Sequence, residues 1–468
     1  MRVLGVALLA GAFVVGCAVG PNYKRPPLVL PDRFYGEQAP GEARSFGDLP
    51  WWDVFQDPVL KGLVEEALKN GFDARLAAAR VQEARALYGV SRAQRFPSVD
   101  YQAGWARTRP DQFLNPSGLT LTEWTAEVGA KWEIDLWGRV RRLNESARAQ
   151  YLATEEARRG VLLSLLSEVA TAYFELCELD AELEIAQRTT TAFRDTYDLF
   201  SRRLEGGAAS ALETSRAEAS LAQVAAQIPE VERAIVAREN QINLLLGRNP
   251  QPIARGGASM PLPPETPAGL PSTLLQRRPD VRQAEQLLIG ANADIGVAKA
   301  AFFPTLSLTG LFGNVSPELG DLFSNGKTWN VGTGALGPLF HGGAIKRNYE
   351  AVKARWEQAK IEYEAAVTGS LAETSTALIA RTKLVETESQ RAGAVQAYRE
   401  AVRLANLRYG SGLSAYFEVL EAQQQLFPAE IGLAQTRRDQ LIAVVNLYKA
   451  LGGGWQAGTL PGTPEPTR

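Results

Sequence analysis

The sequence predicts an α+β membrane protein. It is a tandem repeat in which each chain gives four strands to a trimeric, twelve-stranded β-barrel and joins them to very long coiled-coil helices. Three observations carry this reading. From Glu123 to Leu136 the residues alternate without error: Trp124, Ala126, Val128, Ala130, Trp132, Ile134 and Leu136 point one way, while Glu123, Thr125, Glu127, Gly129, Lys131, Glu133 and Asp135 point the other. Period two means a strand, and at about 3.3 Å per residue this one is roughly 46 Å long, beyond an ordinary globular strand. The stretch that follows, 139–205, reads as one helix, whereas globular helices seldom exceed about 25 residues. Finally, the chain matches itself at an offset of 205 to 207 residues.

The amino terminus comes first in order. Arg2, the apolar run Val3 to Val15 and the small residues leading into Cys17 form a signal peptide over 1–16 that looks like a bacterial lipobox. Cleavage leaves Cys17 as the acylated first residue of a lipid-anchored extension, 17–56. Ala18, rather than Asp, follows it, which by resemblance to bacterial lipoproteins implies the outer membrane. No later run of eighteen apolar residues predicts a transmembrane helix, but a closed barrel also satisfies its backbone in lipid.

Composition narrows the chemistry. Fifty Lys and Arg against 52 Asp and Glu offer no electrostatic reason to expect nucleic-acid binding. One histidine, His341, and two cysteines, Cys17 and Cys177, leave little for thiol, imidazole or metal catalysis. Cys177 reads as a small hydrophobe in a helix, and no cofactor is expected beyond the lipid on Cys17.

The repeats are 57–247 and 273–452, separated by a Pro- and Gly-rich connector at 248–272 and followed by a tail at 453–468. Asp73 to Pro97 matches Asp280 to Pro304, and Arg203 to Glu213 matches Arg408 to Glu418. Each copy predicts a helix (72–95; 280–302), two strands (98–108 and 122–136; 304–315 and 328–340), a long helix (139–205; 343–409), a Gly-containing turn and a returning helix (211–247; 417–452). The long helices measure about 100 Å at 1.5 Å per residue. Pro229 and Pro428 predict kinks in the returning helices. Positions 162, 165, 169, 172, 176, 179, 183, 186, 190, 193, 197, 200 and 204 form a heptad seam with Thr190 the one polar member.

The other strands alternate less cleanly. Val99, Tyr101, Ala103 and Trp105 share a face, as do Leu306, Leu308 and Phe312; the fourth strand is Gly-rich, with Asn325-Gly326 as turn chemistry before it. Trp105, Trp124, Trp132 and Trp329 fit aromatic girdles. Four strands cannot close a membrane barrel, whose minimum is about eight. Two chains would give a lumen filled by side chains, and three leave a water-filled path. Its lining is expected to include Asp100, Glu123, Glu127, Lys131, Glu133 and Asp135. The last five sum to a formal charge of minus three per chain, which predicts a cation-preferring pore.

Several motifs together resemble a known family. They are Cys17 to Tyr23, Trp51-Trp52 with Phe55, Asp57-Pro58 and Leu60, Asp135-Leu136-Trp137-Gly138-Arg139, Arg278-Pro279-Asp280 and Phe303-Pro304-Thr305. The chain is similar, from Cys17 to about Gly454, to the TolC family of outer-membrane efflux channels, in its lipoprotein branch that includes OprM and the NodT-type proteins. The resemblance implies a homotrimer whose twelve-stranded barrel in outer-membrane lipid continues as a twelve-helix periplasmic coiled-coil barrel. It implies an aperture that opens when a periplasmic adaptor and an inner-membrane RND-type transporter dock. The tips are then Leu204 to Leu212 and Tyr409 to Phe417, with Glu205, Gly206, Gly207, Glu213, Tyr409, Gly410, Gly412, Ser414 and Glu418 as aperture and adaptor-contact residues. The branch often carries an aspartate ring where this chain has Ser414, so Glu418 or Glu213 stands as a replacement, with solvated helix surface the alternative for both.

Other motifs dissolve on inspection. Gly332-Thr333-Gly334-Ala335-Leu336-Gly337 fits a dinucleotide pattern but leads into Pro338 and more strand, not a helix; His341 lacks ligand partners, and Gly410-Ser411-Gly412 lacks an activating base. The expected function is a passive, non-enzymatic exit duct for drugs or other small toxic molecules. Alternatives are a protein-secretion duct, a heavy-metal efflux channel that Met scarcity disfavours, and a non-conducting periplasmic scaffold that the charged strand face disfavours.

Overall fold

The computed structural model describes residues 18–36, 45–49, 51–109, 111, 113, 117–256, 269–324 and 326–453. The signal peptide, Cys17, Asn325, most of the connector and the tail beyond Gly453 lie outside the described residues. The elements are α1 (Pro58–Asn70), α2 (Phe72–Ala93), β1 (Ser98–Thr108), β2 (Leu121–Ile134), α3 (Arg139–Glu205), α4 (Ala211–Ala225), α5 (Gln227–Leu245), α6 (Pro279–Ala300), β3 (Thr305–Ser316), β4 (Lys327–Leu336), α7 (Ala344–Gly410) and α8 (Tyr416–Ala450), besides single helical turns. The chain divides into two compact units. One holds Arg80–Glu155 and Gln283–Glu364 with the amino-terminal segment up to Leu28, and the other holds Val29–Ala79, Glu156–Arg282 and the chain from Ala365 onward. Each unit therefore draws on both repeats.

In the second unit the seam of α3 does what a heptad should. Leu162, Leu165, Val169, Ala172, Leu176, Ala186, Thr190, Phe193 and Phe200 are buried, and only Leu204, at the end, is exposed. This helix holds an 18-residue window apolar enough to cross a membrane, yet 61% of that window is buried within the chain, so its hydrophobicity serves a protein core. Phe34, Trp51, Phe55, Leu60 and Tyr448 share one core cluster with Phe174 and the seam residues of α3. Cys177 sits half-buried at the edge of this core as a free thiol, and burial pushes its pKa up to about 11.

Local chemistry explains the motifs. Asp57 caps α1, accepting from the Val59 and Leu60 amides at 2.7 and 3.1 Å, and Pro58 takes the first helical position, where no N–H is needed. The Tyr173 hydroxyl donates to the same carboxylate at 2.8 Å and accepts from the Gly256 amide at 2.8 Å. Arg255 binds Asp180 and Glu239 at 2.8 and 2.6 Å, so the start of the connector is pinned to this core. Arg278, buried, holds Asp280 and Glu373 at 2.6 and 2.7 Å and donates to the Ala450 carbonyl at 3.1 Å.

The duplication is legible at atomic detail. Gly247 and Gly452 end the two returning helices in the left-handed region, at φ +72° and +68°. A Cβ on Gly247 would lie 2.5 Å from the Asn70 carbonyl oxygen, and one on Gly452 would lie 3.0 Å from that of Arg277; no side chain fits at either.

The two returning helices differ. The single helix expected at 211–247 is interrupted at Ala226, which keeps helical angles (φ −64°, ψ −23°) between α4 and α5. Pro229 brings no N–H to the carbonyl four residues before it, that of Ala225, and its ring crowds that turn. Pro428, by contrast, lies inside an unbroken α8.

In the first unit the four strands form one antiparallel sheet in the order β1-β2-β3-β4. The motifs Asp135 to Arg139 and Phe303 to Thr305 meet at its helical end. There Trp137 stacks on Phe303 with centroids 4.6 Å apart and donates from its indole N–H to the Pro304 carbonyl at 2.8 Å. The amino-terminal segment is strapped to the same corner. Val19 N–H donates to Trp137 O at 2.9 Å, Arg142 holds Asn22 at 2.7 Å, and Arg25 grips Glu285 through two 2.6 Å bonds. A Cβ on Gly138 would lie 2.6 Å from that of Ala18.

Candidate pore face and helix tips

The register assigns every strand residue to a face. Opposite neighbours share a side, so the apolar row Tyr101–Val128–Phe312–Trp329 crosses all four strands, as does Val99–Ala130–Gly310–Val331. The large side chains of both rows are exposed, Tyr101 at 86% and Trp329 at 74%. The other face carries Glu123 opposite Ala106, Glu127 opposite Gln102, Asp100 opposite Gly129 and Lys131 opposite Ser98. Both faces of β1 are open along its whole length, and β1 and β4 each leave one edge unpaired. An exposed apolar face on a sheet with free edges demands a covering partner.

The register also sets the tryptophans against one another. Trp105 and Trp124 pair at 6.0 Å, and Trp132 lies eight residues along β2, about 26 Å at 3.3 Å per residue, which matches an apolar band about 25 Å tall. Trp329 is level by register with Val128, midway along β2 between Trp124 and Trp132. At the far end of β3 the same face carries Asn314 and Ser316.

One expectation, that of the charges, needs correction. Strand β2 stops at Ile134, so Asp135 is not a strand residue: its carboxylate accepts from the Val140 and Arg141 amides at 3.0 and 2.9 Å and from the Arg141 side chain at 3.2 Å, capping α3. Glu133 is clasped by Arg139 through bonds of 2.8 and 2.6 Å, and this hydrogen bonding raises the pKa of the arginine further. The first turn of the helix thus neutralises the last two acids of the alternating run. The minus three expected of that run falls to minus one from Glu123, Glu127 and Lys131, and Asp100 brings the face to minus two. Nothing in the alternation signalled this, because both acids obey it. Similarly β4 ends at Leu336 instead of continuing to 340, since Gly337 closes on Pro304 and Pro338 offers no ladder N–H. His341 is an exposed junction residue whose carbonyl accepts from the Ala344 amide at 3.0 Å.

At the other candidate site, in the second unit, α3 ends at Glu205 and turns through Gly206 and Gly207, the latter at φ +74°; α7 ends with Tyr409 and Gly410 and turns through Gly412 at φ +71°. Glu213 is committed to a capping box, accepting from the Ser210 amide and hydroxyl at 2.9 and 3.1 Å while its own amide donates to the Ser210 hydroxyl at 3.2 Å. Glu418 lies 3.5 Å from Arg408, both about half exposed. The Ser414 hydroxyl oxygen is buried with no hydrogen-bond partner among the described residues. Phe200, Tyr409 and Tyr416 form a cluster with centroids 4.5 to 6.4 Å apart. The Tyr416 hydroxyl donates to Thr196 at 2.9 Å, and burial raises its pKa. Arg203 lies 5.4 Å over the Tyr409 ring and donates to its hydroxyl.

A four-stranded sheet with one apolar and one charged face and two free edges, continued by two 67-residue helices, defines a membrane channel whose barrel is assembled from several chains. The family model for the outer membrane efflux protein matches residues 63–248 and again 270–453. The chain is 35% identical over 467 residues to the solvent efflux pump outer membrane protein SrpC of Pseudomonas putida, covering 97% of this chain and 99% of that one. It is 32% identical over 451 residues to the cation efflux system protein CusC of Escherichia coli, covering 95% and 97%. The open-state MtrE outer membrane channel of Neisseria gonorrhoeae superposes with a TM-score of 0.83 at 30% identity, covering 94% and 98%. The chain belongs to the outer membrane efflux protein family and is an outer-membrane exit duct of an efflux pump; the family is one of channels.

Proposed function

We propose that three copies of the chain close their sheets edge to edge into a twelve-stranded barrel, apolar face to lipid and charged face to a water-filled lumen, and export small toxic molecules passively. The unpaired edges of β1 and β4 on a sheet exposed on both faces carry this reading, because lipid tolerates no unpaired strand edge. Asp100, Glu123, Glu127 and Lys131 line the lumen, and the face's minus two per chain favours cations. The lipid on Cys17 enters the membrane beside the barrel, since Ala18 is held against Gly138 at the helical end of the sheet.

The turns at 206–210 and 411–415 meet a periplasmic adaptor, which links the duct to an inner-membrane RND-type transporter that supplies the energy and selects the cargo. Glu213 is occupied by its cap and Glu418 faces Arg408 at 3.5 Å, so Glu418 serves the aperture when that exposed pair opens. Organic solvents and drugs are the expected cargo, in keeping with the solvent efflux relative. Purified protein reconstituted in planar bilayers tests the duct. Conductance that rises when the tip is loosened by Tyr416→Ala supports it, and a folded trimer silent in both forms overturns it. Deleting the gene and measuring susceptibility to solvents, dyes, drugs and metals identifies the cargo.

A further inference from the structure

We infer that Lys131 makes the lumen electrically asymmetric, with a basic ring at the helical end facing acidic rings towards the loop end. The inference rests on the trimeric duct proposed above. Along the charged face the order from the loop end is Glu123, Glu127, Asp100 (opposite Gly129) and Lys131. Beyond Lys131 the remaining acids, Glu133 and Asp135, are neutralised by Arg139 and Arg141. Lys131 is thus the last uncompensated charge before the helices. Its ammonium makes no ion pair among the described residues, and neither do Glu123, Glu127 or Asp100. The corresponding positions on β3 and β4 add no charge: Lys131 is level with Thr309 and Gly332, and Glu127 with Gly313 and Thr328.

Distances decide whether these charges merge or act apart. Glu123 and Lys131 are eight residues apart on β2, about 26 Å at 3.3 Å per residue. The screening length is about 10 Å at 0.1 M salt, so Glu123 and Lys131 act apart, whereas Asp100, level with Gly129 and diagonal to Lys131 at about 7 Å, offsets part of the basic ring. The loop end concentrates cations, and the Lys131 ring concentrates anions and retards cations. A pore with opposite fixed charges at its two ends passes more current under one polarity than under the other.

The test is current through the trimer in planar bilayers, inserted from one side, using the Tyr416→Ala tip so that the aperture does not limit flow. With 0.1 M KCl on both sides the protein should rectify and K131Q should lose most of that rectification, and under a KCl gradient the K131Q reversal potential should move towards greater cation preference. E123Q with E127Q should move the reversal potential the other way. At 1 M KCl, where screening shortens to about 3 Å, all should become nearly ohmic. Glutamine at 131 keeps a polar lumen residue, and trimer content on gels reports folding. Unchanged rectification and reversal potential in a conducting K131Q trimer overturn the role of Lys131. Absence of conductance in the parent overturns the duct reading instead.

Discussion

The two turns that join long and returning helices share one backbone frame. In the first, Gly207 N–H donates to Leu204 O at 3.0 Å and Ala208 to Arg203 O at 2.7 Å; in the second, Gly412 donates to Tyr409 O at 3.0 Å and Leu413 to Arg408 O at 2.9 Å. Their side chains differ. The first turn carries its own cap, Ser210 with Glu213. The second begins its returning helix at Ala415, which has no side chain able to cap, and is held instead by Tyr416 and Tyr409 against Phe200 and Thr196 of the first repeat. One turn is stabilised locally and the other by packing, so duplication copied the frame while the two means of holding it diverged.

That contrast can be broken in graded ways, read by hydrogen exchange at each turn. Phe200→Ala removes a side chain only 2% exposed and should cost about 3–5 kcal/mol. The lost protection should concentrate in 405–420; equal loss at both turns would remove the distinction. Gly207→Ala and Gly412→Ala each force a left-handed residue without any clash of the new Cβ, and should cost about 1–2 kcal/mol apiece. Unequal costs would show that the shared frame is not equally strained. Next come mirrored changes at the caps: Ser210→Ala should loosen only the first turn, and Ala415→Asp should tighten the second, each by about 1 kcal/mol. Asp is suited to Ala415 because that residue already has an extended conformation (φ −73°, ψ 153°). Smallest is Arg408→Gln, which removes an exposed pair worth at most about 1 kcal/mol and should be undetectable at 1 M salt.

Much of the molecule was readable before its structure. The heptad named the buried stripe of α3, Thr190 included, and the alternation of 123–134 named both faces of β2. The capping box was also readable, since Ser210 and Glu213 have the S-x-x-E spacing, but reading Glu213 as an aperture acid passed over it. Pro229 and Pro428 looked equivalent in sequence, yet only the first interrupts its helix. Trp329 could not be set level with Val128 from the sequence, because that level depends on β2 pairing with β3, Val128 opposite Phe312, far apart in the chain.

By itself the sequence determined the periods: two in the strands, seven in the coil and about 205 in the duplication. These follow from chain geometry and burial, and they require no knowledge of distant partners. The tertiary structure alone decided which charges on the strand face remain free. Glu133 and Asp135 carry the same formal charge as Glu127, but the chain turns after Ile134 and brings Arg139 and Arg141 back against them. Whether a carboxylate acts on the lumen or is neutralised at a helix start depends on what lies within about 4 Å of it, and periodicity carries no such distance.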